Sequence, residues 1–307
     1  MKRISLLLVV LIGLMTLFAG CAKQEEVQKS IRFGILPAES AIPIIVAKEK
    51  DFFDKEGLNV ELVPFNSPND RNVAVQAGQI DAIIADIMTS LTFHEAGLEM
   101  KITSDINEDF KLLTSPNSGI DTFDKLNNKD VAIVPNFVLE YIMDEMAIKN
   151  NIKYKPVSIP SISARLEALM ADKLSAVIFT EPQATMMMTQ GAKLLASSKE
   201  YGFKAGTLLF NGKTIAEQPK SVKAFYRAYN KAVNYINETD AAQYGGILTK
   251  YGFPDAVVKY LSGNVKYEKA QKISEASFKS VLEWTRAKGT VKKDYKLQDI
   301  SEFDFIE

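Results

Sequence analysis

The order of apolar runs between Ile31 and Phe179 occurs twice, and that repetition narrows the folds open to this chain more than any other feature. Ile31–Leu36 is an apolar run that stops at Pro37. A helix opens at Pro43, with Ile44, Ile45 and Val46 behind it and Gly57 as its stop. Val60–Val63 is a second run, stopping at Pro64; Asn69 or Asp70 caps a short helix through Ala77, with Gly78 after it; Ala82–Ala85 is the third run. Proline suits the first helical turn, where its missing N–H has no partner, and glycine suits the residue after the last turn.

Downstream the order recurs. Val131–Val134 stops at Pro135, a helix runs from about Val138 to Lys149, and Val157–Ile159 stops at Pro160. Ser161 or Ser163 caps a helix with Leu166, Leu169 and Met170 on one face, and Ala176–Phe179 is the last strand. Three anchors align the halves: Ile35-Leu36-Pro37 with Ile133-Val134-Pro135 at an offset of 98, Pro64 with Pro160 at 96, and Ala77–Ile84 with Ala171–Ile178 at 94. Short apolar runs alternating with helical runs predict an α/β chain with largely parallel sheets, here as two similar lobes.

In open parallel sheets a ligand binds beyond the carboxyl ends of the strands, where helix N-termini offer free N–H groups. Six loops therefore line the expected cleft. From the first half come Pro37–Ser40 with Glu39 and Ser40, Phe65-Asn66-Ser67, and Asp86–Thr89 with Met88 and Thr89. From the second come Asn136-Phe137, Ser161–Ser163, and Thr180-Glu181-Pro182. Few polar groups among apolar walls is the composition of a small-molecule pocket. Glu39, Asp86 and Glu181 all stand at strand ends. Clustered carboxylates repel a small anion by roughly 1 kcal/mol or more each at 4 Å, but accept from amines or ring N–H groups. With Phe65 and Phe137 available to stack on a flat ring, the loops favour a nitrogen heterocycle. The nearest arginine, Arg71, sits one step inside a helix.

The N-terminus carries a processing signal. Lys2 and Arg3 precede an apolar run from Ile4 to Phe18. That is too short for a comfortable membrane span and right for the core of a signal peptide. Leu17-Phe18-Ala19-Gly20-Cys21 follows and resembles a bacterial lipobox, with Phe18 where leucine is more usual. The resemblance implies a lipidated Cys21 as the mature N-terminus, a signal peptide over 1–20, and a polar tether over 21–30. Cys21 is the only cysteine, so no intrachain disulfide forms. The 37 basic and 38 acidic residues leave a net charge of −1, which gives no field favouring nucleic acid.

Longer stretches resemble the solute-binding proteins of bacterial ABC importers, within the group serving thiamine precursors, alkanesulfonates, nitrate and taurine. They are Ile44–Val63 (IIVAKEKDFFDKEGLNVELV), Val75–Asp86 (VQAGQIDAIIAD), Ile120–Val134 (IDTFDKLNNKDVAIV), Thr180-Glu181-Pro182, and the helix opening at Pro219 (PKSVKAFYRAYNKAVNYI). The resemblance implies a two-lobed, hinged periplasmic-binding-protein type II fold. Lobe 1 then comprises 31–115 and 208–307 and lobe 2 comprises 116–207, with crossings near Ser115-Pro116 and Leu208–Asn211. The C-terminal helices return to lobe 1, where Phe278, Val281, Leu282 and Thr285 recur at helical spacing. The implied protein is monomeric, anchored outside the cytoplasmic membrane, free of cofactor, metal and catalysis, and delivers a small solute to a permease and its ATPase. A binder of sulfonate- or nitrate-type anions, an enzyme, or a receptor on the same fold are the alternatives. A histidine-dependent enzyme would have to use the sole histidine, His94, which falls in a helix; a receptor would expose the sole tryptophan, Trp284. Gly206–Thr214 (GTLLFNGKT) imitates a phosphate-binding loop, but has five residues between its glycines and strand character at Leu208–Phe210.

Overall fold

The computed structural model describes residues 30–263 and 265–306. The signal peptide, Cys21 and nearly all of the tether lie outside these residues.

Two five-stranded sheets carry the fold. The strands are β1 (Ser30–Ile35), β2 (Asn59–Pro64), β3 (Ala82–Asp86), β4 (Met100–Asp105), β5 (Lys111–Thr114), β6 (Asp130–Ile133), β7 (Lys155–Ser158), β8 (Ala176–Phe179), β9 (Lys193–Ser197) and β10 (Gly206–Asn211). The first sheet has the order β2-β1-β3-β10-β4 and the second β7-β6-β8-β5-β9. In the first, β1 pairs parallel with β2 and β3; in the second, β6 pairs parallel with β7 and β8. Each sheet then contains one antiparallel strand, β10 between β3 and β4, and β5 between β8 and β9. A register shift accompanies both, at Leu208/Leu209 and at Leu112/Leu113. The repeated order of runs in the sequence is thus a repeated sheet.

The chain leaves the first sheet between Asp105 and Lys111 and returns between Ser197 and Gly206. Both crossings precede the positions expected from the sequence, Ser115-Pro116 and Leu208–Asn211. The reason is the exchanged strand. β5 is four residues long and pairs only with strands that follow it, so nothing local assigns it to the second sheet.

The helices that bound the cleft and cores are α1 (Ile42–Glu49), α2 (Pro68–Gln76), α3 (Ile87–Glu95), α4 (Val138–Lys149), α5 (Ile162–Met170), α6 (Gln183–Thr189), α7 (Pro219–Glu238) and α8 (Glu275–Ala287). The cap of α2 is Ser67, which accepts from the Asp70 N–H, and not Asn69 or Asp70. Proline then occupies the first helical position, where its ring geometry is already helical. α7 lies on the first sheet with Phe225 stacked against Phe33, centroids 5.2 Å apart. Rings of this size supply much of the buried apolar area in that core. α8 packs against α3 with Phe278, Val281, Leu282 and Thr285 buried, as their spacing predicted. Trp284 is buried too, its Nε1–H donating to Asp144 Oδ2 at 2.9 Å. Gly206–Asn211, the first part of the imitation phosphate loop Gly206–Thr214, is strand β10, held between β3 and β4. No helix among the described residues is long and apolar enough to cross a membrane.

Candidate functional site

The carboxyl ends of β1, β3, β6 and β8 converge on a cavity of about 110 Å³ between the two sheets. Its wall is mostly apolar, including Ile84, Phe110, Val134, Phe137 and Phe179. Four charged side chains enter this wall: Arg71, Asp86, Glu108 and Arg165.

The two arginines occupy equivalent places in the repeat. Ser67 and Ser161 each cap a nine-residue helix by accepting the N–H three residues on. Four residues after each serine stands the arginine, and Arg71 and Arg165 differ by 94, the offset that aligns Ala77 with Ala171. Both are buried, at 2% and 4% exposure. Arg71 donates from Nη1 to the Ile84 carbonyl at 2.6 Å, and from Nε and Nη2 to Asn72 Oδ1 at 3.0 and 2.8 Å. Arg165 donates from Nη1 to the carbonyls of Ile159 and Pro160, at 2.8 and 3.0 Å, and its guanidinium lies 5.1 Å from the Phe179 ring centre. Among the described residues its buried Nε has no hydrogen-bond partner. A guanidinium carries five donors in a planar fork. Leaving buried donors unpaired costs roughly 1–3 kcal/mol each, so an acceptor arriving in the cavity is favoured. Burial lowers both pKa values to about 10, opposed at Arg71 by the nearby Asp86 carboxylate. Both remain cations at neutral pH.

The three carboxylates singled out from the sequence are engaged elsewhere. Asp86 alone reaches the cavity. Its Oδ1 caps α3 by accepting from Thr89 N–H at 2.7 Å, and its Oδ2 accepts from Val138 N–H at 3.3 Å, joining the first sheet to helix α4 of the second lobe. Burial raises its pKa. Glu39 is buried and accepts from the Asp109 N–H at 2.5 Å and from the hydroxyls of Tyr260 and Thr180. Burial pushes it up to about 8. Glu181 pairs with Lys111 and accepts from Thr185 N–H at 2.9 Å. Glu39 and Glu181 line a separate polar cavity at the crossings, about 590 Å³, that shares Ile106 and Glu108 with the first.

The remaining expected residues divide three ways. Ser40, Phe137 and Thr180 line the inner cavity. Asn66 and Ser161 line an outer groove of about 440 Å³ that shares Pro37, Ile162 and Gln183 with its wall. Phe65 covers Gly34, Ser67 caps α2, Met88 and Thr89 are buried in α3, and exposed Asn136 donates its N–H to Glu140 Oε2 at 2.7 Å. His94 is turned to its own helix, donating from Nδ1 to the Ser90 carbonyl at 2.9 Å, and burial lowers its pKa.

Arg165, Glu108 and Gln183 were not among the loop candidates. Glu108 sits on the first crossing and binds the second: Oε1 accepts the N–H groups of Ala205 and Gly206 at 2.8 and 3.0 Å. Burial pushes its pKa up to about 7 against those two hydrogen bonds. A side chain at Gly206 would collide with Glu108 and Ile106, so glycine is what permits this approach. Gln183, the first residue of α6, donates to the Pro37 carbonyl across the cleft, while its Oε1 is buried without a partner among the described residues.

The crossings, the paired sheets and the cleft between them fit one kind of relative. The chain belongs to the NMT1/THI5-like family. That family's model matches residues 39–242, from the 3-10 turn holding Glu39 to the 3-10 turn that follows α7. In fold the chain is also similar to solved structures of the periplasmic binding protein type. The ligand-binding component of an ABC-type import system from Staphylococcus aureus superposes with a TM-score of 0.77 at 16% identity, covering 91% of this chain and 98% of that one. The alkanesulfonate-binding protein of Xanthomonas axonopodis pv. citri, bound to MOPS, gives 0.77 at 18% identity over 89% and 98%. The periplasmic nitrate-binding protein of Synechocystis PCC 6803 gives 0.75 at 15% identity over 91% and 87%. No curated protein sequence matches the chain.

Proposed function

We propose that the chain is the extracytoplasmic solute-binding component of an ABC importer, and that its solute is a small organic anion. It closes two lobes on the solute and presents it to a permease and its ATPase. It acts as a monomer held to the membrane by a lipid on Cys21, a part of the proposal supported by the sequence of residues 1–21 alone. It binds without turnover. The fold's neighbours named above are binding proteins, and the sole histidine is turned away from the cleft.

One observation carries the choice of solute: Arg71 and Arg165, one from each lobe, line the same apolar cavity. A guanidinium fork matches a carboxylate or sulfonate geometrically, and such charge-assisted bonds are about twice as strong as neutral ones. The nitrogen heterocycle expected from the loops rested on Glu39, Asp86 and Glu181 facing the ligand. Two of them line another cavity, and the third already accepts from both lobes. The support therefore passes to the anion alternative, in line with the sulfonate and nitrate binders among the fold's neighbours.

The test is isothermal titration of the chain from Ala22 onward with alkane- and arylsulfonates, organic carboxylates, nitrate and aminopyrimidines. An organic anion binds wild type, and Arg165→Ala weakens it by about a hundredfold or more, the usual scale for removing one partner of a buried charged contact. Tight binding of an aminopyrimidine that survives Arg165→Ala overturns the anion and restores the heterocycle.

A further inference from the structure

The inner cavity is small. At about 110 Å³ it falls below the roughly 150 Å³ of an apolar cavity that admits benzene. An anionic head held by Arg71 and Arg165 leaves space there for only a few further atoms. The cavity has a neighbour: Pro37, Ile162 and Gln183 belong both to its wall and to that of the outer groove, about 440 Å³. Beyond those three residues the groove is walled by Leu166, Met186, Phe253 and Pro254, with hydroxyl and amide groups at its margin. Both lobes and the segment after α7 contribute to it. It carries no charged side chain.

Resting on the anion proposal above, we infer that the outer groove is a second subsite for the same solute. The solute is an amphipathic anion whose apolar chain or ring system extends past Gln183 and lies along Leu166 and Met186. The charge distribution fixes the direction. Both arginines are in the inner cavity and none is in the groove, so the head enters first and the apolar end points outward. The groove surface is adaptable. Met186 is partly buried at the groove while Met187, beside it, is fixed in the core of the second lobe. An unbranched thioether fills irregular gaps and accepts different shapes, so head group and reach, more than tail shape, select the solute.

The test is a homologous series of straight-chain carboxylates and sulfonates, from one to ten carbons, titrated into wild type and into Leu166→Ala and Met186→Ala. Alanine places no new charge beside Arg165; Leu166 also packs against the core of the second lobe, so Met186→Ala is the variant that leaves that core intact. Affinity rises by about fourfold per methylene, the worth of burying one such group, and continues to rise past the three or four carbons that the inner cavity holds. Each alanine variant keeps wild-type affinity for the one- to three-carbon anions and loses part of the gain for longer ones. A series that levels off by three carbons, or variants that weaken short and long anions alike, overturns the second subsite and leaves the arginine site standing. Failure of every anion in both series removes the arginine site and the subsite together.

Discussion

The two lobes are built on one plan and charged on two. Each has three parallel strands, then an antiparallel strand received from the crossing, then an edge strand. Each sets a serine-capped helix at the cleft with an arginine at the same place. The surroundings of those arginines differ. Arg71 is held by Asn72 and has Asp86 near enough to raise its pKa against burial. The equivalents of Asn72 and Asp86, at the same offset of 94, are Leu166 and Thr180. Arg165 therefore has an aromatic face and two carbonyls but no carboxylate. Duplication supplies a symmetric frame, and two substitutions within it leave one cation matched and one unmatched. Below about pH 7, where Glu108 in the same cavity is neutral, that single uncompensated charge selects a solute of opposite sign without requiring a special loop.

This comparison breaks most visibly at the arginines. Arg165→Ala loses about a hundredfold or more in anion affinity with a smaller fall in Tm than Arg71→Ala, because it strips the donor from two carbonyls but leaves no buried carboxylate without its cation. Arg71→Ala has its larger effect on the fold. It strips the donors from the Ile84 carbonyl and Asn72, and leaves buried Asp86 without its cation. That costs about 2 kcal/mol, or roughly 5 °C for a protein of this size. Thermal melts of the two variants, beside their titrations, decide it. Equal effects of the two variants on both readouts remove the distinction between the lobes.

The frame was legible from the sequence and the charge plan was not. Apolar runs ending in proline gave the parallel strands, and the spacing of Phe278, Val281 and Leu282 gave the buried face of α8. The exchanged strands were hidden, since β5 and β10 pair with elements far along the chain and their sheet is set by tertiary contacts. Carboxylates at strand ends were visible, but their direction was not. Glu39 and Glu181 turn to Asp109, Tyr260 and Lys111, partners that no local pattern indicates. Arg165 lies inside a helix, away from the loops where a ligand was sought. The signal that reaches it is the repeat itself: adding the offset of 94 to Arg71 lands on Arg165.

A smaller effect comes from the crossings, where the lobes are joined rather than compared. Glu108 lines the inner cavity and titrates near 7, raised from an ordinary 4.5 by burial. Below that pH it is neutral, and above it a carboxylate faces the incoming anion. Anion affinity therefore falls as pH rises from 6 to 8.5, by up to about tenfold for one like charge at close range. The unliganded fold follows the same sense. A raised pKa means the folded state holds the proton longer, so the stability due to Glu108 is complete below 4.5 and is lost as pH rises through about 7. Glu108→Gln flattens the binding profile and retains the affinity seen at low pH. Titrations of a sulfonate, whose own charge is constant over this range, measure it. An unchanged slope in Glu108→Gln assigns the dependence to another group.

The smallest effect tests whether the lobes move as separate bodies. Helix α8 packs on α3 of the first lobe, yet its polar side chains reach α4 of the second. Lys288 bridges Glu140 Oε1 at 2.7 Å and Asp144 Oδ2 at 3.0 Å, and Ser280 meets the Tyr141 hydroxyl at 2.9 Å. Glu140 in turn accepts from Asn136 N–H, next to the cleft residue Phe137. This seam touches no part of the inner cavity, so it bears on binding only through the balance of open and closed forms. A partly exposed ion pair contributes up to about 1 kcal/mol. Lys288→Ala then lowers apparent affinity by at most about fivefold, as the closed, binding-competent fraction shrinks. High salt, which screens the pair in wild type, narrows the gap between the two proteins. Titration at low and high salt reads both effects. If Lys288→Ala lowers Tm but leaves affinity and its salt dependence untouched, the seam is a permanent contact. The two lobes would then differ in charge while belonging to one rigid body, and closure would have to come from side chains at the cleft instead of the hinge.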